Sequence, residues 1–165
     1  MSGPHVLVAG VGNIFFGDDA FGVEVALRLA AGPPVAEDVR VAEFGIRGVH
    51  LAYELLNGYD TLVLVDAVSR GDPPGTVSVL EVPPVPQPGG DGVLEAMDAH
   101  GMDPAAVLGM VADMGGSLDR VLVVGCEAAD VEDGIGLSEA VRAAVPAAVD
   151  AVRELLDSIT KEAQS

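Results

Sequence analysis

Two runs constrain this chain more than anything else in it: Leu62-Val-Leu-Val65 and Val121-Leu-Val-Val124. Both are short, rich in β-branched residues and uninterrupted by polar side chains. A strand with one wet face alternates apolar and polar residues. A continuous apolar strand suits a sheet covered on both faces, which means a parallel sheet between helical layers. Residues 6–9, 39–44, 61–68, 76–82 and 121–126 read as strands on this basis, each bounded by turn residues.

Helical patterns lie between them. Residues 19–31 place Val23, Ala26, Leu27 and Ala30 on one stripe, and residues 47–56 place Val49, Ala52, Tyr53 and Leu56 on another. Asp103-Pro104 is a helix start, with Asp as N-cap and Pro at the first helical position. Ser138 is placed to cap a last helix reaching Ile159, which Pro146 should kink or divide. The order β-α-β-α-β-β-α-β-α predicts a doubly wound three-layer α/β/α domain over residues 1–159. It has about five strands, mostly parallel, with residues 76–82 as an antiparallel edge strand after the Gly71-Asp-Pro-Pro-Gly75 turn. Residues 83–92 hold four prolines and three glycines and predict a surface loop. A disordered tail is expected over residues 160–165.

At 165 residues the chain fits one domain of ~150 residues. Eight Lys and Arg against 26 Asp and Glu give a formal charge of −18, yet half of the residues are hydrophobic. That hydrophobicity excludes a disordered acidic tail. The charge excludes a phosphate-tracking nucleic-acid binder and a domain docked on anionic membrane. The single cysteine, Cys126, excludes an internal disulfide framework and a CxxC zinc site, and reads as a buried small hydrophobe. No run of ~18 apolar residues suggests a transmembrane helix. The first residues lack the basic lead of a signal peptide. The expectation is a cytoplasmic enzyme or binding domain that works as a monomer.

In an open α/β sheet, ligands bind beyond the carboxyl ends of the parallel strands. Five segments converge there and bring Asp18, Asp19, Arg47, Asp66, His100 and Glu127. Gly10 and Gly12 match the first two glycines of a dinucleotide fingerprint, but Phe15 stands at the third, so no nucleotide is expected. Asp66 interrupts an apolar run, and a buried carboxylate needs donors, a cation or a proton. Asp19 at a helix start also fits simple capping, with Asp18 as a competitor, and a lone histidine is more often structural than a ligand. Together, Asp19, Asp66 and His100 make a three-donor set for a divalent transition metal with open positions. His5 lies at the wrong end of the sheet, and His50 falls on the second helix. Glu127, Asp130, Glu132 and Asp133 read as a solvated acidic loop, because they lack EF-hand spacing.

The segment Gly10-Val-Gly-Asn-Ile-Phe-Phe-Gly-Asp-Asp-Ala-Phe-Gly-Val23 resembles the opening loop of the [NiFe]-hydrogenase maturation endopeptidases, G-x-G-N-x₄-D-[DE]-[GA]-x-G. The resemblance continues through Leu64-Val-Asp-Ala67, Pro74-Gly-Thr76, the His100 segment, Val123-Val-Gly125 and Gly136-Leu-Ser138. It implies that Asp19, Asp66 and His100 are the catalytic, metal-contacting residues, with Asp at the first position where some relatives have Glu. Asn13, Asp18 and Arg47 are candidate substrate contacts; Arg47 is placed to grip a carboxylate of the partner and fits equally a solvated arginine or a helix-start ion pair. Phe44-Gly-Ile-Arg-Gly48 departs from the Gly-Gly-Thr-x-Gly-like segment of many relatives and bears on the substrate subtype.

The implied activity is removal of a C-terminal extension from the hydrogenase large-subunit precursor once nickel has entered it. The nickel, supplied by that precursor, is the recognition element. Activation of the attacking water by the metal and activation by a carboxylate, as in an aspartyl protease, both remain open. The residues also allow a nickel-dependent docking protein without turnover, or a nucleotide-binding α/β domain.

Overall fold

The computed structural model describes residues 5–84, 97, 102–129 and 134–164. Among them five strands form one sheet: β1 (Val6–Val11), β2 (Val39–Gly45), β3 (Thr61–Val68), β4 (Val77–Val82) and β5 (Arg120–Glu127). Their order is β2-β1-β3-β5-β4. All neighbours are parallel except β4, which runs antiparallel to β5 at the edge, as expected. The helices are α1 (Phe21–Ala31), α2 (Gly48–Leu55), α3 (Pro104–Asp113) and α4 (Glu139–Gln164).

The uninterrupted apolar strands explain the layers. All of β3 is buried, and its side chains alternate between two cores. Leu62 and Leu64 pack with Leu51, Leu55, Val107 and Val111 of α2 and α3. Val63, Val65 and Ala67 pack with Phe21, Val25 and Leu29 of α1 and with Val145 and Val152 of α4. Each buried side chain of this size stabilises the fold by ~1.5–3 kcal/mol, so a polar residue on either face would be costly.

The faces of the first two helices differ from expectation. In α1 the buried set is Phe21, Gly22, Val23, Val25, Ala26 and Leu29, and Leu27 is exposed. In α2, Leu51, Ala52 and Leu55 are buried, whereas Val49 and Tyr53 are exposed. Both helices carry apolar residues on more than one face, so period alone does not fix their phase. Close approach fixes it for α1. A Cβ on Gly22 would overlap the Val65 carbonyl oxygen, and one on Gly10 beneath it would overlap the Gly22 carbonyl.

Helix α4 also differs. It runs undivided through Pro146 and continues past Ile159 to Gln164. Val141, Val145, Ala148, Val152, Leu156 and Ile159 form one buried stripe, and this packing offsets the hydrogen bond that proline removes. The two caps read from the sequence are present. Asp103 accepts from the Ala106 N–H at 3.2 Å, and Ser138 Oγ accepts from the Val141 N–H at 3.4 Å. Most of the expected loop at residues 83–92 lies outside the described residues.

The strand order creates a switch point. From β1 the chain moves to β2 on one side, whereas β3 leads towards β4 and β5 on the other. Such a divergence leaves a crevice at the carboxyl ends of β1 and β3.

Candidate active site

Both predicted carboxylates meet at that crevice. β1 pairs with β3 as far as Gly10 opposite Val65. β3 then continues beside β5, with Asp66 opposite Gly125. Asp66 therefore stands one residue beyond the last β1 pair, and it is 3% exposed. Asp19 comes from the loop after β1 and is 1% exposed. It lies within a 3-10 turn, Gly17–Ala20, and not on the first turn of α1. Its Oδ2 accepts from the Asn13 N–H at 2.7 Å. The Asn13 Oδ1 accepts from the Phe15 N–H at 2.9 Å, which tightens the same loop.

Gly12 fills the space between the two acids. Its φ of +129° lies in the region that favours glycine. A Cβ there would overlap the Asp19 carbonyl oxygen and stand 3.2 Å from Asp66 Oδ1. The second glycine of the apparent nucleotide fingerprint thus lets the Asp19 backbone pass close beside the Asp66 carboxylate. The close helix–strand contact belongs to Gly22, well beyond the third position of that fingerprint.

The electrostatics follow from this packing. Burial raises the Asp66 carboxyl well above 3.8, and the neighbouring Asp19 charge raises it further. The Ala67 N–H, donated to Asp66 Oδ1 at 2.8 Å, works the other way. Among the described residues that adjacent N–H is the only hydrogen-bond donor to Asp66. A buried carboxyl with raised proton affinity beside a second carboxylate is suited to hold a cation or to exchange a proton.

The other acids gathered by the strand-end rule have structural tasks. Asp18 is 0% exposed. Its oxygens accept from the Ser138 N–H at 2.6 Å, the Ser138 hydroxyl at 2.8 Å and the Ala129 N–H at 2.8 Å. It ties the first loop to the start of α4. Glu127 is buried, not solvated as expected, and accepts from the Arg70 N–H at 2.9 Å and the Asp72 N–H at 3.3 Å. It pins the loop after β3. Asp130, Glu132 and Asp133 lie outside the described residues.

Arg47 precedes α2, with Nε on the Phe44 carbonyl at 2.9 Å and its guanidinium 3.1 Å from Glu43. It closes the end of β2 while remaining half exposed. Cys126 is buried, and burial first, then Asp18 and Glu127, pushes its thiol up to about 11, so it supplies no thiolate. His50 is exposed on α2, and His5 lies at the opposite edge of the sheet.

His100 lies outside the described residues. Met97 and Met102, which bracket it in sequence, are both buried in the core between the sheet and α2 and α3. Among the described residues no group of three metal-binding side chains is assembled. The carboxylates Asp19 and Asp66 are the part of the expected donor set that the structure describes.

Comparison with known proteins gives a consistent result. A family model described as hydrogenase maturation protease matches residues 23–155. The hydrogenase expression/formation protein HupD of Rhizobium leguminosarum bv. viciae is 32% identical over 156 residues, spanning 94% of this chain and 75% of the relative. Among solved structures, the hydrogenase maturating endopeptidase HybD from Escherichia coli superposes with a TM-score of 0.76 at 26% identity, covering 93% of each chain. A hydrogenase 2 maturation peptidase from a Thaumarchaeota archaeon gives a TM-score of 0.69 at 31% identity, covering 93% of this chain and 98% of the other.

Proposed function

This chain belongs to the hydrogenase maturation protease family, and from that premise we propose that it removes the C-terminal extension of a [NiFe]-hydrogenase large-subunit precursor after nickel insertion. The observation that carries this reading is the buried Asp66 carboxylate with the Asp19 charge acting on it at the switch point, where only a glycine fits at position 12. A carboxylate pair that repels itself in the free protein gains most from a divalent cation placed between its members.

In this reading the precursor brings the nickel. Asp19, Asp66 and His100 complete its coordination, and this orients the scissile peptide at the crevice. Two oxygen donors and one imidazole suit a first-row divalent ion with positions left for the substrate's own ligands. Nickel recognition then explains how an unfilled precursor is spared: without the ion, the acids repel each other and nothing aligns the peptide. The attacking water gives up a proton at this cluster as its oxygen adds to the scissile carbonyl. The departing amine nitrogen takes up a proton as the C–N bond breaks.

Among the described residues no helix is long and apolar enough to cross a membrane. Action in the cytoplasm, as a monomer, belongs to the same proposal. The test is incubation of the purified protein with nickel-loaded and nickel-free precursor, followed by intact mass. Loss of the extension from the loaded form alone is expected. Binding without truncation would make the protein a docking factor, and equal truncation of both forms would remove the role of nickel.

A further inference from the structure

Leu27, which the helical pattern placed inside, joins two exposed loop residues in outlining a surface with no assigned task. Leu27 is 53% exposed on α1, Ile14 is 46% exposed in the first loop, and Ile135, after β5, is 84% exposed. Monomeric domains expose single apolar residues freely, but adjoining ones mark contact sites. These three line one groove of about 350 Å³ with Ala20, Val23 and Leu137. Its far wall is fixed to the first loop by backbone bonds. The Gly134 N–H donates to Phe15 at 2.7 Å, and the Gly17 N–H donates to Gly134 at 2.8 Å.

Two features say what the groove takes. The first is its position. Ala20, part of its lining, is the residue after Asp19, so the groove starts on the loop that carries one of the two acids. The second is its charge. The chain has 8 basic residues against 26 acidic ones, yet the groove is lined by Arg28 and Arg142 against Glu24 alone. Arg28 is paired with Glu24 at 3.1 Å along α1. On the opposite wall the Arg142 guanidinium is braced on the Leu137 carbonyl at 3.1 Å. A second copy of a chain with net charge −18 is a poor occupant on electrostatic grounds. The volume is at the low end for ligand sites, ~300–1,000 Å³, and suits a few side chains of an extended peptide.

We propose that this groove is the docking channel for the precursor segment beside the scissile bond, an apolar stretch with an acidic side chain facing Arg142. The proposal rests on the protease reading and adds to it the surface that selects the precursor by its sequence.

The test uses the full-length protein and its Leu27→Asp, Ile135→Asp and Arg142→Glu variants, with nickel-loaded precursor as the probe. Tyr53→Asp, equally exposed on α2 across the sheet, is the control. All four positions face solvent, and unchanged melting temperatures confirm folding. Each groove variant is expected to raise KM roughly tenfold or more while kcat stays within about twofold, and the control is expected to change neither. Unchanged KM in the three variants, or an equal rise in the control, overturns the proposal.

If the wild type truncates nothing, the protease reading fails by itself, and binding of the same precursor by interferometry still reads the groove. Roughly tenfold weaker binding by the variants then supports docking, whereas equal binding, or none by the wild type, overturns it. A dimer in sedimentation that Leu27→Asp dissolves would give the groove to a second copy and would also overturn the proposal.

Discussion

Asp66 occupies a position where the fold would be better served by a neutral residue. It is buried, it accepts one described hydrogen bond, and Asp19 repels it. Its raised proton affinity in the native state has a definite sign for stability. The native state binds more protons than the unfolded state once the pH exceeds the ordinary carboxyl value of 3.8. Stability associated with this group is complete below that value and is lost as the pH rises through the native value. Asp66→Asn should therefore melt higher than wild type at pH 7 without nickel, the gap should close below about pH 4, and cleavage should be lost. Thermal melts across pH check this, and an Asn variant melting lower at pH 7 would contradict it.

Asp18 presents the opposite case. Removing its carboxylate in Asp18→Ala strands the Ser138 and Ala129 N–H groups, at a cost of about 3 kcal/mol in urea unfolding. A cost within about 0.5 kcal/mol would show that the tie is not structural. Asp66 was visible in the sequence because an acid that interrupts an apolar run has few cheap explanations, whereas Asp19, which also fits capping, stood out through the resemblance of its loop. The residues alone left the capping role open between Asp18 and Asp19, because only the fold brings Ser138 and Ala129 to Asp18.

At the scale of elements, closeness between backbones accounts for most of what the pattern missed. The five strands were legible because burial on both faces leaves a composition that few other structures share. The phases of α1 and α2 were not, since Leu27, Val49 and Tyr53 are as apolar as their buried neighbours. Gly22 decides the matter for α1 by admitting the helix against β1 and β3. Gly22→Ala should cost about 2–3 kcal/mol or more, because the added methyl meets the carbonyls of Val65 and Val11. Gly109 provides the contrast. It lies inside α3 with nothing within 4 Å of an added Cβ, so Gly109→Ala should stabilise by roughly 0.5–1 kcal/mol. Denaturant midpoints separate the two, and similar shifts in both would contradict the packing argument. Pro146 carries the same lesson: a local rule for helix breaking yields where one long stripe is buried against the sheet.

For the whole molecule, the acidic surplus and the site are separate matters. The charge of −18 surrounds a core that uses few polar residues, and Asp19 and Asp66 are among the most buried of the acids. Topology supplies the site, since the order β2-β1-β3-β5-β4 opens a crevice where β1 and β3 part. Family membership supplies the class of reaction. The account stands on Asp19, Asp66 and His100 acting together on a nickel-loaded precursor. The direct test is the intact mass of that precursor after incubation with wild type and with Asp19→Ala, Asp66→Asn and His100→Ala, each shown to be folded. Truncation by the wild type and by none of the three is predicted; normal truncation by any one of them would contradict the assignment.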